Sequence, residues 1–100
     1  MSNLHELKTD VGPFQDVWST RKTFDLRKDD RQFQVNDVLR LREYVSVMQG
    51  PKYTGREILV LVIHMLRGGA YGLPDGYVIM SLKLLARLGH PFADVQPVGM

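Results

Sequence analysis

The chain has 100 residues, of which 44% are hydrophobic and 24% charged; this composition predicts one globular domain with a modest core and argues against disorder of the whole chain. The net charge of +2 does not imply nonspecific coating of nucleic acid, although a local basic patch remains open as an interpretation. The absence of cysteine excludes disulfides, thiolate nucleophiles and cysteine-ligated zinc.

No segment predicts a secretory signal or a membrane anchor. The polar start, MSNLHELK, lacks the basic and then apolar pattern of a signal peptide. The longest apolar run, ILVLVIHML at 58–66, has nine residues, whereas a helix that spans a bilayer needs about 20. We therefore expect a cytoplasmic protein without membrane contacts.

The beginning of the chain predicts a short strand over 4–8 and then a helix that ends near Ser19. Asp10 is suited to cap this helix, and Pro13 falls in the first turn, where a missing N–H group is tolerated. Three apolar residues follow at helical spacing and are expected to face the core: Phe14, Val17 and Trp18.

The segment 22–27 predicts a half-buried strand because its polar and apolar side chains alternate. One face carries the apolar residues Phe24 and Leu26. The other face carries the polar residues Thr23, Asp25 and Arg27. The loop that follows contains two apolar residues that we expect to anchor to the core, Phe33 and Val35.

Three further strands are predicted over 37–44, 57–66 and 77–83. The second of these is apolar on both faces, which indicates a central strand and predicts that His64 is a hydrogen-bonded core residue. Residues 84–88 fit one or two helical turns, and an irregular tail is expected after Pro91. Five short strands and one flanking short helix predict a mainly β, α+β fold such as a small β-barrel.

The charged stretch TRKTFDLRKDD, residues 20–30, is the candidate binding site. If its polar face adjoins the 37–44 strand, basic side chains flanked by tyrosines would suit phosphate binding and base stacking. The alternative is a set of cross-strand ion pairs on a solvated sheet surface. The candidate nucleic-acid-binding residues are Arg21, Lys22, Asp25, Arg27, Lys28, Arg31, Arg42 and Tyr77.

Catalysis and metal binding have less support in the sequence. Lys22 beside Thr20 or Thr23 offers the residue types of a base and a nucleophile, but this chemistry requires a lysine with a depressed pKa. The three histidines are isolated from one another, so no metal site is predicted, and no cofactor motif is present. We expect a structural role for His5.

Several ordered segments carry a resemblance to a known family: HELK at 5–8, WSTRKTFDLRKDDR at 18–31, FQVNDVLRLREY at 33–44, YTGRE at 53–57 and GYVIM at 76–80. Over about residues 4–82 the chain resembles a small bacterial and phage domain family of unknown function in the ASCH group of the PUA-like superfamily. The resemblance implies a PUA-like β-barrel with a helix beside it and a cleft associated with RNA or nucleotide binding.

The hallmark of this group is a turn and strand with the pattern G-x-K-x-x-E-x-R. In this sequence Lys22, Asp25 and Arg27 occupy the positions of the lysine, the acid and the arginine, while Thr20 stands at the glycine. Asn36 stands where a glycine usually precedes the aspartate of the next strand. Because a β-branched residue adopts a left-handed backbone poorly, we expect the turn at Thr20 to differ from the family pattern.

The resemblance implies an RNA-binding or nucleotide-binding domain over 1–83, with a cleft lined by Lys22, Asp25 and Arg27. One alternative is a phage-type interaction module that binds a host protein through a C-terminal extension, 84–100. A second alternative is an amidohydrolase of an acylated nucleoside, because a related branch that acts on acetylated cytidine has a lysine at the position of Lys22. The threonine nucleophile of that branch aligns with Asp25.

Overall fold

The computed structural model describes residues 3–46, 50 and 52–89. These residues form a mainly β fold of five strands and one short helix, so that part of the prediction is confirmed. The helix is α1 (Val11–Trp18). The strands are β1 (Leu4–Asp10), β2 (Phe24–Lys28), β3 (Val38–Val45), β4 (Lys52–Arg67) and β5 (Tyr77–Leu88). Within the described ranges, no helix has the length and hydropathy to span a membrane.

The strands form a single sheet in the order β1-β3-β4-β5-β2, with β4 in the predicted central position. β1 runs parallel to β3, whereas the other neighbouring pairs are antiparallel. A parallel pair needs a long crossover connection. Here the crossover contains α1 and β2, and β2 is thereby carried to the far edge of the sheet. The sheet curls into a half-barrel. Its two edge strands approach each other closely enough for the side chain of Arg27 on β2 to bond to β1.

β5 is longer than the sequence predicts. Residues 84–88, expected as helical turns, continue the strand and pair with the first half of β4, from Val60↔Leu84 to Glu57↔Leu88. A free partner strand thus overrides a local pattern that fits a helix. The predicted extension 84–100 therefore starts inside β5, and its part from residue 90 onwards lies outside the described residues.

The alternation in β2 is present, but its apolar face is the exposed one. Asp25 is only 7% exposed, whereas Phe24 is 47% and Leu26 is 49% exposed. The Asp25 carboxylate accepts a hydrogen bond of 2.7 Å from Arg27 Nε, which compensates the buried charge. The inward face of this edge strand is therefore polar, and two large apolar side chains face solvent.

Two other predictions about burial are wrong. Val35 is exposed, although Phe33 in the same loop is fully buried as expected. His64 is exposed instead of lying in the core. The reason is a β-bulge between Val62 and His64, which places an extra residue in β4 and turns the following side chains to the other face.

Helix α1 contacts the sheet through Arg56, which pairs within the sheet with the buried carboxylate of Glu43. Glu43 on β3 accepts hydrogen bonds from Arg56 on β4 and from Thr54. Burial alone would raise the pKa of the Glu43 carboxyl, but these bonds outweigh it and hold the pKa below its ordinary value. The Arg56 guanidinium also lies 4.6 Å from the centroid of the Trp18 ring, so one arginine joins the sheet to the end of the helix.

Asp37 fixes the start of β3. Its fully buried carboxylate accepts the backbone N–H groups of Asn3 and Gln34 and lies 2.8 Å from His5 Nε2. Burial would raise the pKa of Asp37, but the hydrogen bonds outweigh burial and lower it. The expected structural role of His5 agrees with this contact.

Four residues other than glycine in the described part of the chain have left-handed backbone conformations, and two of them lie at the positions where the family pattern has glycine. Thr20, between α1 and β2, has φ of +65°, and Asn36, before β3, has φ of +77°. Asparagine tolerates this region, but a β-branched threonine is strained there. The turn at Thr20 thus takes the conformation that a glycine would favour, despite the added side chain, and it leads directly to Lys22.

Replacing this threonine with glycine is expected to stabilise the protein. Thr20→Gly removes the strained Cβ and should raise the free energy of unfolding by about 1 kcal/mol after the larger chain entropy of glycine is counted. The matched control is Thr23→Gly, because Thr23 lies in the same segment without a positive φ and should lose stability. Urea unfolding of both variants measures the two changes, and a loss of stability in Thr20→Gly would contradict strain at this turn.

Candidate functional site

The two edges of the sheet are bridged by arginines instead of a backbone ladder. Arg27 on β2 donates from Nη2 to Thr9 Oγ1 at 3.0 Å and from Nη1 to the Lys8 carbonyl at 3.4 Å. Arg31, just after β2, donates to the carbonyl of Glu6 at 3.1 Å. We call the gap between β1 and β2 the seam. Because side chains and not paired backbones join the two strands there, the half-barrel stays open along the seam.

Three open clefts lie in a row along β2. The Arg31 cleft has a volume of ≈ 390 Å³ and lies between Lys8 and Lys28. The Thr9 cleft, of ≈ 310 Å³, shares Arg27 with it. The Phe24 cleft, of ≈ 380 Å³, shares Lys22 with the Thr9 cleft. The cationic lining residues of the row are Lys8, Arg21, Lys22, Arg27, Lys28 and Arg31, and the acidic ones are Asp10, Asp16, Asp25 and Asp30.

Arg27 lies at the centre of this row. Its Nε donates to the buried Asp25 carboxylate at 2.7 Å, and its two terminal nitrogens each donate one bond to β1. A guanidinium has five N–H donors, so each terminal nitrogen keeps one N–H group beyond these bonds. Lys22 Nζ lies 3.9 Å from the same carboxylate. Asp25 therefore orients one cation and holds a second one close to it.

Six of the predicted binding residues come together along this row: Arg21, Lys22, Asp25, Arg27, Lys28 and Arg31. Arg42 does not join them. The interpretation that the strand 22–27 adjoins the strand 37–44 is wrong, because β4 and β5 lie between β2 and β3 in the sheet. Tyr77 pairs in register with Lys28 beside the row, but it is not among the residues that line the three clefts.

Arg42 instead belongs to an ion-pair network on the outer surface of the sheet. It donates to Glu57 at 3.1 Å, and its guanidinium lies 4.0 Å from the centroid of the Tyr53 ring. Hydrogen bonding from Arg40, aided by the charge of Arg42, holds the pKa of Glu57 below its ordinary value. The alternative interpretation, cross-strand ion pairing on a sheet surface, describes Arg42 correctly.

A family model described as a domain of unknown function, DUF3850, matches residues 4–82. The chain belongs to the DUF3850 family. The match includes α1, the first four strands and all the residues that line the three clefts. No curated protein matches the chain.

Three features of the cleft row in the DUF3850 domain are not predicted by the sequence. Lys8 lines two of the clefts, and Thr9 anchors Arg27, yet no local pattern marks either residue. Their position depends on the curl of the sheet, which brings β1 to β2. Phe24 is part of the predicted strand but not of the predicted site. No local signal marks its exposure, because a charged residue such as Asp25 ordinarily faces solvent and leaves its neighbour to face the core.

Lys22 and the neighbouring threonines of the DUF3850 domain also come together, as a base and nucleophile pair would require. Lys22, Thr20 and Thr23 line a separate cavity of ≈ 30 Å³. A volume of this size holds about one water molecule, not a nucleoside. Within the described ranges, no group of three or more histidine, aspartate and glutamate side chains is placed to hold a metal ion.

The Asp25–Arg27 pair is expected to be energetically coupled. Asp25→Asn and Arg27→Met should each destabilise the DUF3850 domain, because removing one partner alone leaves a largely buried charge. The double variant should lose less free energy of unfolding than the two single variants together, with a coupling of about 1–2 kcal/mol. A double-mutant cycle by urea unfolding measures this coupling.

The matched control cycle uses the exposed pair Glu6 and Arg40, which are 2.8 Å apart on the outer surface. Its coupling should stay below about 0.5 kcal/mol because solvent screens the charges. Equal coupling in both cycles would contradict a special role for Asp25 in holding Arg27.

Proposed function

We propose that this DUF3850 domain is a PUA-like domain of the ASCH group that binds RNA or a nucleotide in the clefts along β2. The curled, mainly β sheet with one short helix supports the PUA-like assignment, since the resemblance in the sequence implies such a fold. The observation that carries the function is the row of cations from β2 and its flanking segments that lines the open clefts.

The chemistry of the seam favours phosphate. Arg27 and Arg31 keep free N–H donors after their bonds to β1, and arginine binds phosphate oxygens through paired donors. Lys28 adds positive charge to the Arg31 cleft, whereas Lys8 contacts Arg27 through its carbonyl and its Nζ lies 4.5 Å from the centroid of the Tyr44 ring. The largely buried Asp25 is already paired with Arg27, so it repels a phosphate less than a free carboxylate would.

Binding has more support than hydrolysis. The cavity that Lys22 shares with the two threonines admits about one water molecule, whereas the clefts along β2 are about tenfold larger. The protein-partner alternative depends on the C-terminal extension, which lies mostly outside the described residues.

Binding to a single-stranded RNA of about ten nucleotides should weaken steeply with salt, because each neutralised phosphate contributes about −0.7 to the slope of log K against log salt. Lys28→Ala/Arg31→Ala removes two cations of the Arg31 cleft. This variant should bind more weakly and show a slope smaller in magnitude by about 1.4. Fluorescence anisotropy over a salt series measures both quantities.

The matched control is Lys52→Ala/Lys83→Ala, which removes the same charge from exposed positions on β4 and β5. It should retain nearly the wild-type affinity and slope. Absence of RNA binding by the wild type would refute the proposal, and so would an equal loss of affinity in both double variants, which would indicate binding through net charge alone.

A further inference from the structure

An exposed aromatic ring lies at one end of the cationic row. Phe24, the first residue of β2, is 47% exposed. It lines the Phe24 cleft together with Asp16, Arg21 and Lys22. Lys22 Nζ lies 5.3 Å from the centroid of the Phe24 ring. The cleft therefore combines a planar apolar surface with two cations, at a position outside the hydrophobic core.

The exposure of Phe24 follows from the inward position of Asp25. Adjacent residues of a strand point to opposite faces, so the pairing of Asp25 with Arg27 on the inner face obliges Phe24 to face outward. A single exposed apolar residue is ordinary on protein surfaces. A ring flanked by cations is more specific, because single-stranded nucleic acids bind through aromatic surfaces that stack bases and cations that follow the backbone.

The two ends of the row have different chemistry. The Arg31 cleft is lined by several cations and Asp30 but no aromatic ring, whereas the Phe24 cleft has an aromatic ring together with two cations and Asp16. Because each of these two clefts has one carboxylate, the ring distinguishes the Phe24 cleft, where Asp16 can also accept an N–H group from the edge of a base. From Phe24 to Lys28, β2 extends roughly 13 Å, given a rise of about 3.3 Å per residue.

We infer that Phe24 is a stacking platform for an unpaired base, while the cations further along β2 bind the phosphates, so that the ligand is single-stranded RNA. This inference rests on the proposed function. Bases inside a duplex already stack on one another and do not present a free face to a side chain. A duplex can therefore use the cations but not Phe24.

The test compares three variants on two ligands, a single-stranded RNA of about ten nucleotides and a duplex of the same sequence. Phe24→Leu keeps an apolar side chain but removes the ring, and should weaken single-strand binding roughly tenfold while leaving duplex binding unchanged. Phe24→Trp should bind the single strand at least as tightly as wild type. Tyr71→Leu is the matched control, because Tyr71 is a 90% exposed aromatic residue in the turn between β4 and β5.

The salt slope separates the inference from the function on which it rests. Phe24→Leu should keep the wild-type slope because it removes no cation. If Phe24→Leu binds the single strand as tightly as wild type, with normal salt dependence, stacking on Phe24 is wrong and RNA binding stands. If wild type shows no salt-dependent binding to either ligand, the proposed function fails as well. An equal loss in Phe24→Leu and Tyr71→Leu also overturns the inference.

Discussion

A buried carboxylate on an edge strand determines how this domain is built. Asp25 lies on the inner face of β2 and accepts a hydrogen bond of 2.7 Å from Arg27. A charge in that position is stable only with a partner, and the partner it holds reaches across the seam to Thr9 on β1. The two edges are thus joined by side chains, which leaves the clefts that a closed backbone ladder would have removed. The same pairing protects an edge strand from joining another chain, because inward charges disfavour edge-to-edge association.

A second buried ion pair sets the position of the segment that leads into β2. Arg56 bonds to Glu43 in the sheet and lies over Trp18 at the end of α1. The chain then turns at Thr20, in a left-handed conformation, before it reaches Lys22. The helix and the strained turn together bring Lys22 close to Asp25. The cationic row therefore depends on contacts made well outside it.

Local patterns in the sequence were sufficient to predict most of the elements but not their arrangement. Alternation marked β2 and β3, Pro13 marked the first turn of α1, and the apolar run 58–66 marked the central strand. Residues 84–88 were predicted wrongly because a pairing with distant residues of β4, not their own spacing, makes them a strand. The burial of His64 was predicted wrongly because the β-bulge in β4 leaves no mark in the order of polar and apolar residues.

The candidate site was also predictable only where its residues are close together in the sequence. Lys22, Asp25 and Arg27 are close in sequence, and the strand spacing of Asp25 and Arg27 places them on one face. Arg42 was assigned to the site because β3 follows β2 in the chain, yet the crossover sends β2 to the opposite edge of the sheet. Lys8 was missed because only the curl of the whole sheet brings it to β2. Sequence order and spatial order differ most where a parallel connection is present.

The most direct measurement is a titration of single-stranded RNA into the ¹⁵N-labelled protein, followed by the chemical shifts of the backbone amides and arginine Nε–H groups. If RNA binds along β2, the largest changes occur at the amides of Phe24–Lys28 and Lys8 and at Nε of Arg27. Nε of Arg42, bonded to Glu57 on the outer surface, changes little. Large changes at Arg42 and Tyr53, with β2 unaffected, would contradict binding along β2.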